Sequence, residues 1–383
     1  MSEATSAPLA AQIYRDLGVR RVINAADTYT ALGGGRLPEP VVAAMAAASE
    51  HHVHVEELLA AVGARIAGLV GVPAALVVNG AAAGLAVTAA ACLVGTDPGG
   101  VDGLPGRVPV RDEIIALRSQ RNSYDRAVLA TGARLVEVGY ADSTPPWSLT
   151  AALSERTAAV TYYAGTQFER FAMPLPEVAA ITKAAGVPLI VDAAAQLPPV
   201  SNLHRYVDEG ADLVVFSGGK GLRGPQSSGL VLGDADLVAA CAANSYPHHS
   251  VGRAMKTSKE NALGLLAAVE RAVALDWDAE YARWQATVEA WAQELSPLPG
   301  VRTWIVPTGR LGQTCPRLYL AWESGPSAAE LARRLEGRDP SVVIGLDLPG
   351  ARECFLNPYS VLAEENDHLI AVVGAELRSA LDV

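Results

Sequence analysis

The stretch Asp212-Leu213-Val214-Val215-Phe216-Ser217-Gly218-Gly219-Lys220-Gly221 decides the fold. Its apolar run reads as a buried strand. The strand opens directly into a serine, two glycines, a lysine and another glycine. Upstream, Pro188-Leu189-Ile190-Val191 reads as a second strand and ends in Asp192. A carboxylate closing one buried strand and a lone lysine closing the next form the pairing that pyridoxal 5'-phosphate chemistry requires. The lysine forms a Schiff base with the cofactor aldehyde. The aspartate keeps the pyridine nitrogen protonated, so the ring can accept electrons. Glycines beside the lysine remove side chains where cofactor and substrate approach the backbone. The competing readings are a phosphate-loop lysine, a surface lysine and an ordinary strand-end aspartate. The first fails, because Lys220 is followed by glycine and the upstream spacing is wrong. Ser217 fits a phosphate ligand at the same strand end, and Arg223 either adds charge nearby or lies on the surface.

Working outward, Ala74-Ala75-Leu76-Val77-Val78 reads as a buried strand that runs into Asn79-Gly80-Ala81-Ala82-Ala83-Gly84 and an alanine-rich helix to Leu93. A strand, a small-residue turn and a helix N-terminus make an anion site, because unpaired backbone N–H groups and the helix dipole both favour negative charge. The cofactor phosphate is expected there. Further strands are predicted at Glu113–Leu117, Arg134–Val138 and Ala158–Tyr163. The polar run Arg118-Ser119-Gln120-Arg121-Asn122-Ser123-Tyr124-Asp125 follows the first of these, at the strand end where open α/β sheets bind ligands. Helices are predicted at Pro38–Ala48, Glu56–Leu69 and Leu175–Ala185, with a Gly/Pro-rich loop at 96–109 and a turn at 141–150. This alternation predicts an α/β fold with a mostly parallel sheet covered on both faces. From Leu230 the pattern weakens. Long helices at Ser258–Leu275 and Trp277–Leu295 lead to a mixed tail, with a strand at Arg317–Ala321. The expected organisation is an N-terminal arm (1–40), a large cofactor-binding domain (41–250) and a small α+β domain (251–383) that includes the interdomain helix. The arm carries Leu32-Gly33-Gly34-Gly35, either a flexible connector or a flap closing over a site.

Bulk properties restrict the function. The chain has 383 residues, 50% of them hydrophobic, and a net charge of -11. Its pI is near 5.2. This balance argues against a protein that grips nucleic acid or an acidic membrane. No run of about 18 uncharged apolar residues predicts a spanning helix. The first ten residues carry no signal-peptide pattern. Cys92, Cys241, Cys315 and Cys354 are widely spaced and match no zinc pattern, so they read as free thiols of a reducing, cytoplasmic protein. His51, His52 and His54 lack a completing ligand pattern and read as solvated or hydrogen-bonded side chains rather than a metal site.

The same residues carry a family resemblance. The chain resembles the selenocysteine-synthase-like group of fold-type I pyridoxal phosphate enzymes, which includes D-glucosaminate-6-phosphate ammonia lyase. The likeness runs nearly end to end, through Val22-Ile23-Asn24-Ala25-Ala26, Asn79-Gly80-Ala81-Ala82-Ala83-Gly84-Leu85, Arg121-Asn122-Ser123-Tyr124-Asp125, Val136-Glu137-Val138-Gly139, Val191-Asp192-Ala193-Ala194-Ala195-Gln196-Leu197-Pro198-Pro199, Ser217-Gly218-Gly219-Lys220 and Gly252-Arg253-Ala254-Met255-Lys256. It implies the aspartate aminotransferase-like fold, with a seven-stranded sheet in the large domain and Lys220 as the Schiff-base lysine. It further implies Asp192 against the ring nitrogen, Ala194 beneath the ring, and Gly80, Ala81 and Ser217, with Asn79, at the phosphate. Arg253 would reach toward a neighbouring subunit's site, so a homodimer or larger homo-oligomer is implied. The chain departs from the family at Gln120, where relatives carry a histidine facing the cofactor ring and the glutamine can still contact the ring edge. It departs again where relatives carry glycine at Asp27 and serine at Asn79. It also lacks the arginine that relatives show near Ile344-Gly345-Leu346, which Arg352 could replace, and Lys256-Thr257-Ser258 lacks a usual glycine. Gln196 and Arg352 are the candidate substrate contacts.

These readings converge on an enzyme that removes the Cα proton of a small amino acid or amino-sugar acid, with elimination of ammonia or water as the outcome. Transamination, racemisation or side-chain transfer would use the same lysine and aspartate. A catalytically degenerate binding protein is the non-enzymatic alternative, and retention of both Asp192 and Lys220 argues against it. The expected partners are a small amino substrate and further copies of the chain, with no nucleic acid and no membrane.

Overall fold

The structure is a computed structural model that describes residues 12–348 and 350–381. The first ten residues, on which the expectation about a signal peptide rests, lie outside the described residues. By contacts the chain divides into two units. One is Gly35–Leu275 with Arg310–Gln313; the other combines Met1–Gly34, Asp276–Gly309 and Thr314–Val383.

The first unit holds a seven-stranded sheet of order β2-β8-β7-β6-β5-β3-β4. Its strands are β2 (Ala74–Val78), β3 (Glu113–Leu117), β4 (Arg134–Val138), β5 (Thr157–Tyr163), β6 (Leu189–Asp192), β7 (Leu213–Ser217) and β8 (Gly229–Gly233). All neighbours pair in parallel except β8, which runs antiparallel to both β2 and β7. The mostly parallel α/β sheet expected from the sequence is therefore present. β3, β5, β6 and β8 are buried at every position, which explains their continuous apolar character. β8 falls where the sequence pattern weakens, because glycines at both ends hide a strand only five residues long.

The helix Ala81–Val94 packs directly on this sheet, with its middle turns fully buried. Gly84 permits the approach: a Cβ there would stand 2.6 Å from Val215 Cγ1. The Lys259–Ala274 helix packs on Glu39–Ser49 and Val55–Val70 and so belongs to this unit. Two segments read as irregular from the sequence form short helices instead, Pro98–Gly103 and Pro146–Ala152. In the first, Asp97 Oδ2 accepts from Gly100 N–H at 2.6 Å, a side-chain cap that starts the turn despite the glycines. Cys241 is buried and Cys92 partly so, and both are free thiols. Burial pushes the Cys92 thiol up to about 12, which keeps it inert.

The second unit has two small sheets. β1 (Val22–Ala25) pairs in parallel with β11 (Ser341–Ile344), and β9 (Val301–Val306), β10 (Arg317–Trp322) and β12 (Glu353–Leu356) form an antiparallel sheet of order β12-β10-β9. Helices Trp277–Leu295, Ala328–Glu336 and Asn366–Leu381 complete it. Trp284 is fully buried and lies 5.3 Å from the Tyr359 ring and 6.4 Å from Trp277, an aromatic cluster that pins the start of the long helix. Ser327 and Glu330 form a capping box at the Ala328–Glu336 helix.

This unit also explains two departures from the family. Arg317 is 2% exposed, and its guanidinium donates to Asp27 Oδ2 at 2.7 Å while lying 4.9 Å over the Phe355 ring. Asp27 therefore neutralises a buried arginine, which a glycine could not do. At Gly345, any Cβ would run into the Phe355 ring, so no arginine side chain fits there. Asp27→Gly is expected to destabilise the protein by about 3 kcal/mol, because it leaves a buried charge unpaired. Adding Arg317→Met should recover most of that loss in denaturant unfolding. Equal losses in the single and double variants would show that the pair does not act as a unit.

Candidate active site

The parallel strands end on one edge of the sheet, and the residues singled out from the sequence gather there. Register explains how. Asp192 pairs with Tyr163 on β5 and with Val215 on β7, so these three side chains share a face, and Ser217 lies on it two residues further on. Gly229 pairs with Val78 on one side and with Ser217 on the other. Through it, the turn after β2 and the turn after β7 become neighbours.

The cradle is built from close backbone contact. Gly80 has φ of 85°, a conformation that favours glycine, and caps the Ala81–Val94 helix. A Cβ on Gly229 would stand 2.7 Å from Gly80 C and 3.0 Å from Ala81 N. A side chain there would therefore fill the space beside the first N–H groups of the helix. The lysine turn is closed by Gly218 N–H to Ser228 O at 2.9 Å, Gly224 N–H to Gly218 O at 2.8 Å and Arg223 N–H to Lys220 O at 2.9 Å. Gly221 abuts the Leu197 carbonyl so closely that no side chain fits. Arg223 has a positive φ of 55° within this turn. The Gly35 N–H donates to Gly219 O at 2.8 Å, so the third glycine of the N-terminal run lies against the lysine turn.

Asp192 is buried, and its Oδ1 accepts from Ala194 N–H at 2.9 Å. Burial pushes its carboxyl above the ordinary range, while the Ala194 N–H and the Lys220 charge pull it back. Ser217 N–H bonds Ala194 O at 3.4 Å, which ties the turns after β6 and β7 together. Gln120 is 1% exposed. Its amide donates to Tyr163 O at 3.0 Å and accepts from Tyr163 N–H at 2.9 Å. Gln196 is buried, with its amide donating to Ala164 O at 3.1 Å. Thus Asn79, Gly80, Ala81, Gln120, Asp192, Ala194, Gln196, Ser217 and Lys220 all belong to this edge of one unit. Arg253 is in the same unit, half-buried, with its guanidinium 5.5 Å from the Tyr246 ring. Arg352 is in the other unit, exposed, and donates to Gly325 O at 2.9 Å. Tyr163 and Gly229 are parts of the edge that sequence reading leaves unassigned. Tyr163 stands at the end of a strand named from its apolar run, but its pairing opposite Asp192 is a matter of register.

Comparison with known proteins agrees with this geometry. Residues 126–290 match the L-seryl-tRNA selenium transferase family, SelA. A 5'-C-glycyluridine monooxygenase-decarboxylase from a Streptomyces species is 38% identical over 341 residues, covering 86% of this chain and 83% of that protein. D-glucosaminate-6-phosphate ammonia lyase from Salmonella typhimurium is 32% identical over 67% of this chain and 69% of that protein. The solved structure of a D-glucosaminate-6-phosphate ammonia-lyase superposes with a TM-score of 0.84 at 28% identity, covering 97% of this chain and 99% of that one. The fold and site edge define a fold-type I pyridoxal phosphate enzyme. More narrowly, the chain belongs to the selenocysteine-synthase-like family that includes the D-glucosaminate-6-phosphate ammonia lyases.

The residues present fit pyridoxal phosphate. The cradle beside Ala81 offers backbone N–H groups at a helix N-terminus and is kept open by Gly229. Asp192 is a buried carboxylate, and a protonated ring nitrogen beside it would offset the cost of burying its charge. A carboxyl raised in the folded state holds its proton more tightly there than in the unfolded chain. Stability therefore falls as pH climbs above the unfolded value of about 4. In cofactor-free protein, Asp192→Asn is expected to melt higher than the parent at pH 8, with the difference narrowing toward pH about 4. A variant that melts lower at pH 8 would mean the buried carboxylate stabilises the fold.

Proposed function

We propose that the enzyme breaks a bond at Cα or Cβ of an amino-acid-like substrate after removal of the Cα proton, with elimination of ammonia or water as the outcome. The observation that carries this reading is the meeting of three features on one sheet edge: the buried Asp192, the lysine turn and the N-terminus of the Ala81–Val94 helix. When bound, pyridoxal phosphate supplies the electron sink for the pair left at Cα. Asn79, Gly80, Ala81 and Ser217 hold the phosphate, through backbone N–H groups and the serine hydroxyl. Asp192 keeps the ring nitrogen protonated. Lys220 anchors the cofactor, and its Nζ then takes and returns the Cα proton. Ala194 would lie under the ring of the bound cofactor, and Gln120 would contact its edge. Gln120 has no proton to exchange near neutral pH, so Lys220 is left as the base of the site. Gln196, on the same edge, contacts the substrate. Arg253 serves a neighbouring subunit, in a homodimer or larger homo-oligomer. No helix of the described residues is long and apolar enough to cross a membrane. Four free cysteines support a reducing compartment such as the cytoplasm as the place where the enzyme acts.

A second reading, decarboxylation coupled to dioxygen, is favoured by the identity and coverage shared with the Streptomyces monooxygenase-decarboxylase. Both outcomes begin with bond breaking at Cα.

Lys220→Ala is expected to lower turnover by at least about a thousandfold, consistent with loss of both anchor and base. Borohydride reduction of the parent should place the cofactor on the peptide that contains Lys220. Full turnover by the variant would end the assignment. Screening amino acids with and without dioxygen separates the two outcomes. Ammonia and a keto product formed equally in both atmospheres support elimination. Carbon dioxide formed only with dioxygen supports the second reading.

A further inference from the structure

The motif Arg121-Asn122-Ser123-Tyr124-Asp125 has no part in the function proposed above, yet it is bound tightly into the site edge. In the β3–β5 ladder Ala116 pairs with Thr161, so the same register carried two positions further would set Arg118 opposite Tyr163. Instead the chain turns at Arg118–Gln120, and the side-chain amide of Gln120 takes both backbone bonds of Tyr163. A side chain thus completes the sheet one rung beyond the strand. The other end of the loop returns to the same residue: the Tyr163 hydroxyl donates to Asp125 Oδ1 at 3.1 Å.

Between these ends the loop is braced from within. Asp125 Oδ2 accepts from Arg121 Nε at 2.6 Å and from Asn122 N–H at 3.3 Å. Asn122 Nδ2 donates to Gln120 O at 3.0 Å, and its Oδ1 accepts from Tyr124 N–H at 2.8 Å. Arg121 also reaches Glu137 Oε1 at 2.6 Å. Tyr163 and Asp125 are 3% and 5% exposed, so the phenol–carboxylate bond is shielded from water. Burial, with the charges of Asp192 and Asp125, pushes the phenol well above its ordinary range and keeps it a donor. Tyr163 pairs with Asp192 across the β5–β6 ladder.

From this geometry we infer that Tyr163 is a positioning residue, which clips both ends of the 120–125 loop and so sets the plane in which Gln120 meets the cofactor. The inference rests on the reading that Gln120 faces the cofactor. The clip replaces what a ring at position 120 would otherwise supply. A flexible amide presents a defined face only when both its oxygen and its nitrogen are tied, and here both are tied to one residue. The Tyr163 hydroxyl acts at a distance, by holding Asp125 and through it Arg121 and Asn122, which border Gln120.

The test uses the holoenzyme reconstituted with pyridoxal phosphate. Visible circular dichroism of the cofactor band reports its orientation, and titration with pyridoxal phosphate gives its Kd. Tyr163→Phe keeps the ring and removes the hydroxyl; Asp125→Asn leaves a single acceptor oxygen, which cannot serve both Tyr163 and the Arg121–Asn122 pair. Each is expected to reduce the visible dichroism strongly and to weaken cofactor binding about tenfold, the worth of one hydrogen bond to a charged group. Combining Tyr163→Phe with Gln120→Ala should be no worse than Gln120→Ala alone. Gln120→His places a group that titrates near about 6.5 beside the cofactor, so its absorption should acquire a matching pH dependence. If that titration appears while Tyr163→Phe and Asp125→Asn leave dichroism and Kd at parent values, Gln120 faces the cofactor but Tyr163 does not position it, and the inference is overturned. If Gln120→His and Gln120→Ala both leave the cofactor unchanged, the underlying reading fails and the inference falls with it.

Discussion

The pairing of Gly229 with Val78 on one side and Ser217 on the other is the contact on which the site depends. β2 and β7 run parallel, and the antiparallel β8 lies between them. That single strand brings the helix N-terminus after β2 beside the lysine turn after β7. A residue larger than glycine at 229 would press on Gly80 and Ala81 and close the cradle. Anion binding at the helix end and the chemistry of Lys220 are thus joined by a position that carries no side chain.

Around this contact, burial and charge are balanced locally. The face that carries Asp192 also carries Tyr163 and Val215, and the Ala81–Val94 helix packs against Val215 at Gly84. Desolvation raises the proton affinity of Asp192, while Lys220 opposes it. Such a carboxylate is poorly placed for stability and well placed for a cationic partner, a common trade at functional sites. The Asp27–Arg317 pair in the second unit solves a similar problem differently. There the counter-charge is supplied within the fold, and a stacked Phe355 ring covers the guanidinium.

Much of the first unit was legible in the sequence, because long apolar runs have one stable solution in a buried parallel sheet. The strands β2, β3 and β4 coincide with their predicted limits, as does the Leu175–Ala185 helix. β8 was less legible: its short run between glycines resembles a connector. The short helices at Pro98–Gly103 and Pro146–Ala152 were hidden by prolines, which mark turns but also start helices at their first positions. The family departures at Asp27 and Gly345 were visible as departures, but their causes lie in contacts with Arg317 and Phe355.

The sequence by itself determined the class of chemistry, because a strand-end aspartate, a glycine-flanked lysine and a strand–turn–helix anion site are local patterns. It also determined the sheet type, since residue period and apolarity act over only a few positions. Tertiary structure alone decided which groups meet. Gln120 completes a rung on Tyr163, and Asp125 closes on the same phenol 38 positions away. Asp27 neutralises an arginine 290 positions away. These pairings depend on strand order and register, which are set by how whole elements pack and leave no mark at either residue's own place in the chain.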